Sequence, residues 1–173
     1  MRVHPLRPED DRAHLECGDP ALDRFLREYA LQNARRHGIG PTYVAEEAGI
    51  VLGYVTVAAC SLDADAVPED LRTSLPSYPL PALRLARLAV DKRAQGQGIG
   101  TALVGVAADL ALEMVGRVGC VGIVADVKSA ASGFYERFGF VAVDAERGGS
   151  AARPRQRIMF LPLRAVRRAI EPR

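Results

Sequence analysis

The feature that most constrains this chain is Gln95-Gly-Gln-Gly-Ile-Gly100, where every second residue is glycine, between "LRLARLAV" and "GTALVGVAADLALEMVG". The first flank is short and apolar, as a strand is. The second places Leu103, Val106, Ala107, Leu110 and Met114 at helical spacing and predicts an amphipathic helix. Glycines at such a junction let a ligand come close to the main chain. The first amides of a helix lack intrahelical partners and lie at the positive end of its dipole, so the junction predicts an anion site. Spacing rejects two phosphate loops. No Lys-Ser or Lys-Thr pair follows the glycines as the Walker pattern requires, and the third glycine of a dinucleotide loop, counted from Gly96 and Gly98, would fall at Thr101.

Around this unit the patterning predicts an α/β chain with mixed strand directions. Asp19-Pro20 suits a helix N-terminus, with Leu22, Phe25, Leu26, Tyr29 and Ala30 on the apolar face and a stop at Gly38. "TYVAEE" and "IVLGYVTVAACSL" read as a hairpin turning at Ala48-Gly49. "VPEDLRTSL" predicts a short helix, "VGCVGIVADV" a strand buried on both faces, and "SAASGFYERF" a further helix ending before Gly139. "FVAVDA" and "RIMFLPL" predict a closing hairpin. The ends therefore pair antiparallel, while the middle uses right-handed crossovers.

With 173 residues the chain predicts one domain, taken as 1–163, followed by a basic tail over 164–173. Cys17, Cys60 and Cys120 are widely spaced, form no metal motif and predict reduced thiols of a cytoplasmic protein. The polar, acidic start predicts no signal peptide, and no uninterrupted apolar run approaches a membrane span. The net charge of +2 hides an asymmetry: from Arg147 onward eight arginines face one acid, about +7, which leaves about −5 for the rest. On charge alone that end is either an edge for an anionic ligand or a solvated tail.

Gln95, Gly98 and Gly100 match the R/Q-x-x-G-x-G/A loop of the GNAT acyltransferases, and the segment resembles that family. The resemblance implies the GNAT fold, a mixed, mostly antiparallel sheet with splayed central strands flanked by helices. It further implies that Leu88, Ala89 and Val90 run along the pantetheine arm of acetyl-CoA, and that Gln95, Gly96, Gln97, Gly98, Ile99, Gly100 and Thr101 hold its pyrophosphate. "FYERFGF" places Tyr135 where the family keeps the tyrosine that protonates the departing thiolate. A phenol of pKa ~10 is protonated at neutral pH, against ~8.5 for a thiol. Phe134 and Phe138, four residues apart, read as core. His4, His14 and His37 read as surface residues, so no general base stands out. An α-amine of pKa ~8 needs less help than a lysine at ~10.4.

"ECGDPALDRFLREYA", "TYVAEEAGIVLGYVTV", "YPLPALRLARLAVD" and "AASGFYERFGF" resemble, in order, segments of one branch: toxins of toxin-antitoxin modules that acetylate aminoacyl-tRNA and block translation. That likeness implies a charged tRNA substrate, a cognate antitoxin and a homodimer, with no metal. Arg24, Arg27, Arg35, Arg36, Arg84 and Arg87 are the candidates for contacts to the tRNA backbone. Two other readings stay open: a GNAT enzyme for a protein N-terminus, lysine or small amine, and a CoA-binding regulatory module.

Overall fold

The computed structural model describes residues 1–73, 75–143 and 157–170, with side chains of the last stretch to residue 167. Its strands are β1 (Arg2–Pro5), β2 (Thr42–Glu47), β3 (Ile50–Leu62), β4 (Leu80–Val90), β5 (Gly122–Val127), β6 (Val141–Ala142) and β7 (Arg157–Pro162). They form one sheet in the order β1-β2-β3-β4-β5-β7-β6. The β2–β3 hairpin turns where it was expected, with Ala48 and Gly49 both at positive φ (52° and 85°), the twist that matches right-handed strands. The closing hairpin also forms, but β7 lies between β5 and β6 and pairs antiparallel with both. Strand β1 was not foreseen. It is four residues long and pairs with β2 at the sheet edge, where the missing N–H of Pro5 is tolerated.

The helices are α1 (Pro20–Arg24), α2 (Ala30–Arg36), α3 (Glu69–Arg72), α4 (Ile99–Arg117), α5 (Ser132–Glu136) and α6 (Leu163–Ile170). A π-helical turn, Phe25–Tyr29, joins α1 to α2. Asp19 caps α1 by accepting from the Ala21 amide at 3.0 Å, and the Ala30 N–H reaches back five residues to the Phe25 carbonyl. This wider turn corrects the predicted face. Ala30 takes the inward place and is fully buried, while Tyr29, expected in the core, is 41% exposed.

The chain forms two compact units, each of two separate segments: Met1–Ala58 with Leu85–Asp109, and Ala59–Arg84 with Leu110–Arg173. The first is centred on Leu15, Phe25, Leu26, Ala30, Val44, Val51, Tyr54 and Ala89. The second is centred on Leu62, Val67, Ala82, Val124, Val143, Ile158 and Phe160. On α4 the buried positions are Ile99, Leu103, Val104, Ala107, Ala108 and Ala111, and the predicted Val106, Leu110 and Met114 are half-buried. By length and composition α4 would suffice to cross a membrane, although Asp109 and Glu113 interrupt its apolar run. Helix α6 takes in residues 164–170 of the predicted tail, with Val166 buried, while the arginines at 147, 153, 155 and 173 lie outside the described residues.

Candidate active site

Strand β4 is followed by a fully buried carboxylate, Asp91, whose amide donates to the Leu52 carbonyl of β3 at 2.8 Å. Asp91 caps a short 3₁₀ turn over Lys92–Ala94 by accepting from the Arg93 amide at 2.9 Å. The Arg93 guanidinium donates to both carboxylate oxygens at 2.9 Å, and the Glu16 amide adds a bond of 3.2 Å. Arg93, with those amides, outweighs the cost of burial and holds the Asp91 carboxyl well below the usual range. Sequence reasoning missed this hub; an Asp at a strand end with Arg two residues on was the available signal.

The glycine loop begins immediately after it. The Gln95 side-chain amide donates to the Val90 carbonyl at 3.1 Å and to the Cys17 carbonyl at 3.3 Å, fastening the loop to β4 and to the segment before α1. Gly96 and Gly98 adopt φ of 78° and 83°, yet a Cβ on either would meet nothing within 4 Å. Their backbone conformation, not packing, requires glycine, and the space above them is open. The first intrahelical bond of α4 runs from Ala102 to the Gly98 carbonyl at 3.0 Å. Among the described residues the amides of Ile99, Gly100 and Thr101 have no backbone partner. Ile99 is buried as an anchor, while Gln95, Gly96, Gln97, Gly98 and Thr101 are exposed. Open space, free amides and the positive end of a 19-residue helix fit a diphosphate.

A second glycine, also missed, sets this geometry from below. A Cβ at Gly53 in β3 would lie 2.9 Å from the Ala89 carbonyl and 3.1 Å from Ile99 Cγ2, so a side chain there would push apart the strand and helix that carry the loop.

Tyr135 belongs to the second unit. It is 7% exposed, with Phe134 and Phe140 edge-on at 5.2 and 5.3 Å, and burial pushes its phenol up to about 12. Its hydroxyl makes no hydrogen bond among the described residues. Phe134 and Phe138, expected as core, are instead half-buried and pack on each other at 5.1 Å.

A sequence profile for the Acetyltransferase (GNAT) domain matches residues 38–142, from the start of the β2 hairpin through the loop, α4 and Tyr135. The chain belongs to the GNAT acetyltransferase family. It is 32% identical over 132 residues, 76% of this chain and 78% of the other, to a tRNA-acetylating toxin from Mycobacterium tuberculosis. Its fold superposes on AtaT complexed with acetyl-methionyl-tRNAfMet at TM-score 0.84, with 24% identity and coverage of 98% and 99% of the two chains. A Tyr-to-Phe mutant of AtaT bound to the C-terminus of the antitoxin AtaR and acetyl-CoA gives TM-score 0.77, with 22% identity and coverage of 99% and 98%.

For a GNAT enzyme the six candidate arginines are not equivalent. Arg24 is taken up by Glu28 at 2.8 Å and the Tyr29 hydroxyl at 2.9 Å, and Arg27 donates to the Leu15 carbonyl at 3.3 Å. Arg84 is half-buried in an ion pair with Asp126 at 2.6 Å. Arg35 and Arg36 are exposed at the end of α2 and have no ion pair among the described residues. The Arg87 guanidinium sits 3.8 Å above the Phe25 ring. His4, expected at the surface, is largely covered and lies 3.8 Å from Asp10. Cys17, Cys60 and Cys120 form no disulfide among the described residues, and burial raises Cys17 to about 11, which keeps it unreactive.

Proposed function

We propose that this protein transfers an acetyl group from acetyl-CoA to the α-amine of aminoacyl-tRNA, and that it is a translation-blocking, cytoplasmic toxin restrained by a cognate antitoxin. The match to the M. tuberculosis tRNA-acetylating toxin over three quarters of this chain carries the reading. Bound acetyl-CoA supplies an acyl thioester and a thiolate leaving group.

The amides of Ile99, Gly100 and Thr101 hold the diphosphate, with Gln95, Gly96, Gln97 and Gly98 shaping the approach. Leu88, Ala89 and Val90 line the pantetheine arm. Tyr135 holds its proton at every physiological pH. With its phenol near 12, full transfer to a thiolate of ordinary pKa ~8.5 is uphill, so Tyr135 acts chiefly by hydrogen-bonding the sulfur as charge develops. Burial of that sulfur raises its own proton affinity and brings the pair closer to balance. The acceptor is an α-amine of pKa ~8, lowered further by the ester on its carboxyl, and so is largely neutral without a strong base. A homodimer, as the family branch implies, is part of this reading.

Incubation with labelled acetyl-CoA and total charged tRNA tests it. Label should enter the RNA fraction and leave on mild alkaline hydrolysis as N-acetyl amino acid. Label found only on protein N-termini, lysines or small amines would overturn the acceptor while leaving the enzyme class intact, and CoA binding without turnover would make the protein a regulatory module.

A further inference from the structure

Four arginines with described side chains are half-buried: Arg12, Arg72, Arg84 and Arg87. Arg12 donates to backbone carbonyls, and Arg72 and Arg84 each have a carboxylate. Arg87 differs. Among the described residues its guanidinium has neither an ion pair nor a hydrogen bond; it lies on the face of Phe25, near the Tyr54 phenol. An aromatic face attracts a cation but leaves the N–H groups without oxygen acceptors. A partly desolvated cation in that state lacks an anion.

The perch is built, not incidental. Phe25 opens the π-helical turn, and such turns recur at functional sites. Tyr54 stacks on Phe25 with ring centroids 6.1 Å apart, and its hydroxyl is fixed by donating to the Leu22 carbonyl at 2.8 Å. Along β4, Arg87 alternates to the same face as Ala89, which packs with Phe25 and Tyr54. It directly precedes Leu88–Val90, the stretch assigned above to the thioester arm.

We propose that Arg87 binds the anionic group nearest the reacting amine, namely the phosphodiester 5′ to the terminal nucleoside whose ribose carries the aminoacyl ester. This rests on the acceptor proposed above. A guanidinium held on a ring presents a planar fork suited to two phosphate oxygens, and it positions the acceptor without reading sequence. The exposed arginines of α2 then serve more distant phosphates, and Arg87 serves the one that sets the amine against the thioester.

Adenosine aminoacylated on its ribose, with and without a 5′-phosphate, separates this role from general attraction. For the wild type, removing the phosphate should lower kcat/KM for the acceptor roughly ten- to a hundredfold. For Arg87→Gln the same removal should cost less than about twofold, with Arg87→Lys between them and KM for acetyl-CoA unchanged. With whole charged tRNA, Arg87→Gln should flatten the salt dependence of KM by about one phosphate, a log–log slope change of ~0.7. An equal phosphate dependence in wild type and variant overturns the proposal, as does a change confined to the KM of acetyl-CoA. A uniform loss with every acceptor, accompanied by a lower Tm, would make Arg87 only a brace for Phe25. Loss of the Arg87 effect with activity on charged tRNA intact sinks this inference alone, whereas a wild type inert toward every aminoacyl ester sinks the acceptor reading and this inference together.

Discussion

Tyr135 is buried while Phe134 beside it on α5 is half-buried, so the phenol rather than the phenylalanine is the ring enclosed by protein. Tyr135→Phe should lower kcat by about a hundredfold or more and leave the Kd of acetyl-CoA within about twofold, as isothermal titration beside steady-state kinetics would show. The same residue marks stability in alkali. Its folded pKa lies above the unfolded value of ~10, so its contribution is complete below pH ~10 and is lost as pH rises through about 12. Tyr54 is raised by burial in the same direction. Urea titrations from pH 9 to 11.5 should therefore show a falling stability whose slope Tyr135→Phe reduces without abolishing. Asp91 works in the opposite sense. Held low mainly by Arg93, it stabilises above the unfolded pKa of ~4 and ceases to do so as pH falls. Asp91→Asn should cost about 2–3 kcal/mol at pH 7 and measurably less at pH 2.5, where the unfolded carboxyl is already protonated while the folded one is still largely ionised, read from unfolding midpoints at the two pH values.

The proposed anion site needs one element junction, and two kinds of glycine shape it. Gly96 and Gly98 supply left-handed backbone under open space, whereas Gly53 supplies the absence of a side chain between β3, the Ala89 carbonyl and Ile99. These roles separate experimentally. Gly98→Ala should cost about 1–2 kcal/mol of backbone strain with packing untouched. Gly53→Ala should cost about 1–3 kcal/mol by overpacking, and should raise the KM of acetyl-CoA because it displaces the strand and helix that carry the loop. A Gly53→Ala protein with unchanged KM would show that β3 does not shape the site. The π-helical turn is the other decision at this scale, since one extra residue per turn exchanges Tyr29 for Ala30 in the core and opens at the ring beneath Arg87.

Across the whole molecule a nearly neutral chain carries its positive charge toward one end of the sequence, and Arg157, Arg164 and Arg167 of that end are exposed. If a charged tRNA is the acceptor, its KM should rise steeply between 50 and 200 mM salt, by roughly tenfold for every two phosphates contacted, while that of acetyl-CoA changes far less. Equal salt dependence for both substrates would remove the basic residues from acceptor binding. The strand–glycine–helix unit, the two hairpins and the helix starts were legible in sequence because each depends on residues close together in the chain: alternation, 3.6-residue periodicity, a cap, a turn. Tyr135 and the loop residues were singled out for a different reason, likeness to a family motif. Partners distant in sequence were not legible. Asp91 meets Glu16, Gly53 meets Ile99, Arg84 meets Asp126, and Arg87 meets Phe25 only once β-pairing and the π-turn bring them together. By itself, then, the sequence determined where the main chain would turn and expose its amides, because local sterics and hydrogen bonding decide that. Only the tertiary structure decided which arginines meet a carboxylate and that Arg87 meets an aromatic ring instead, because Coulomb interactions and desolvation depend on distances in space.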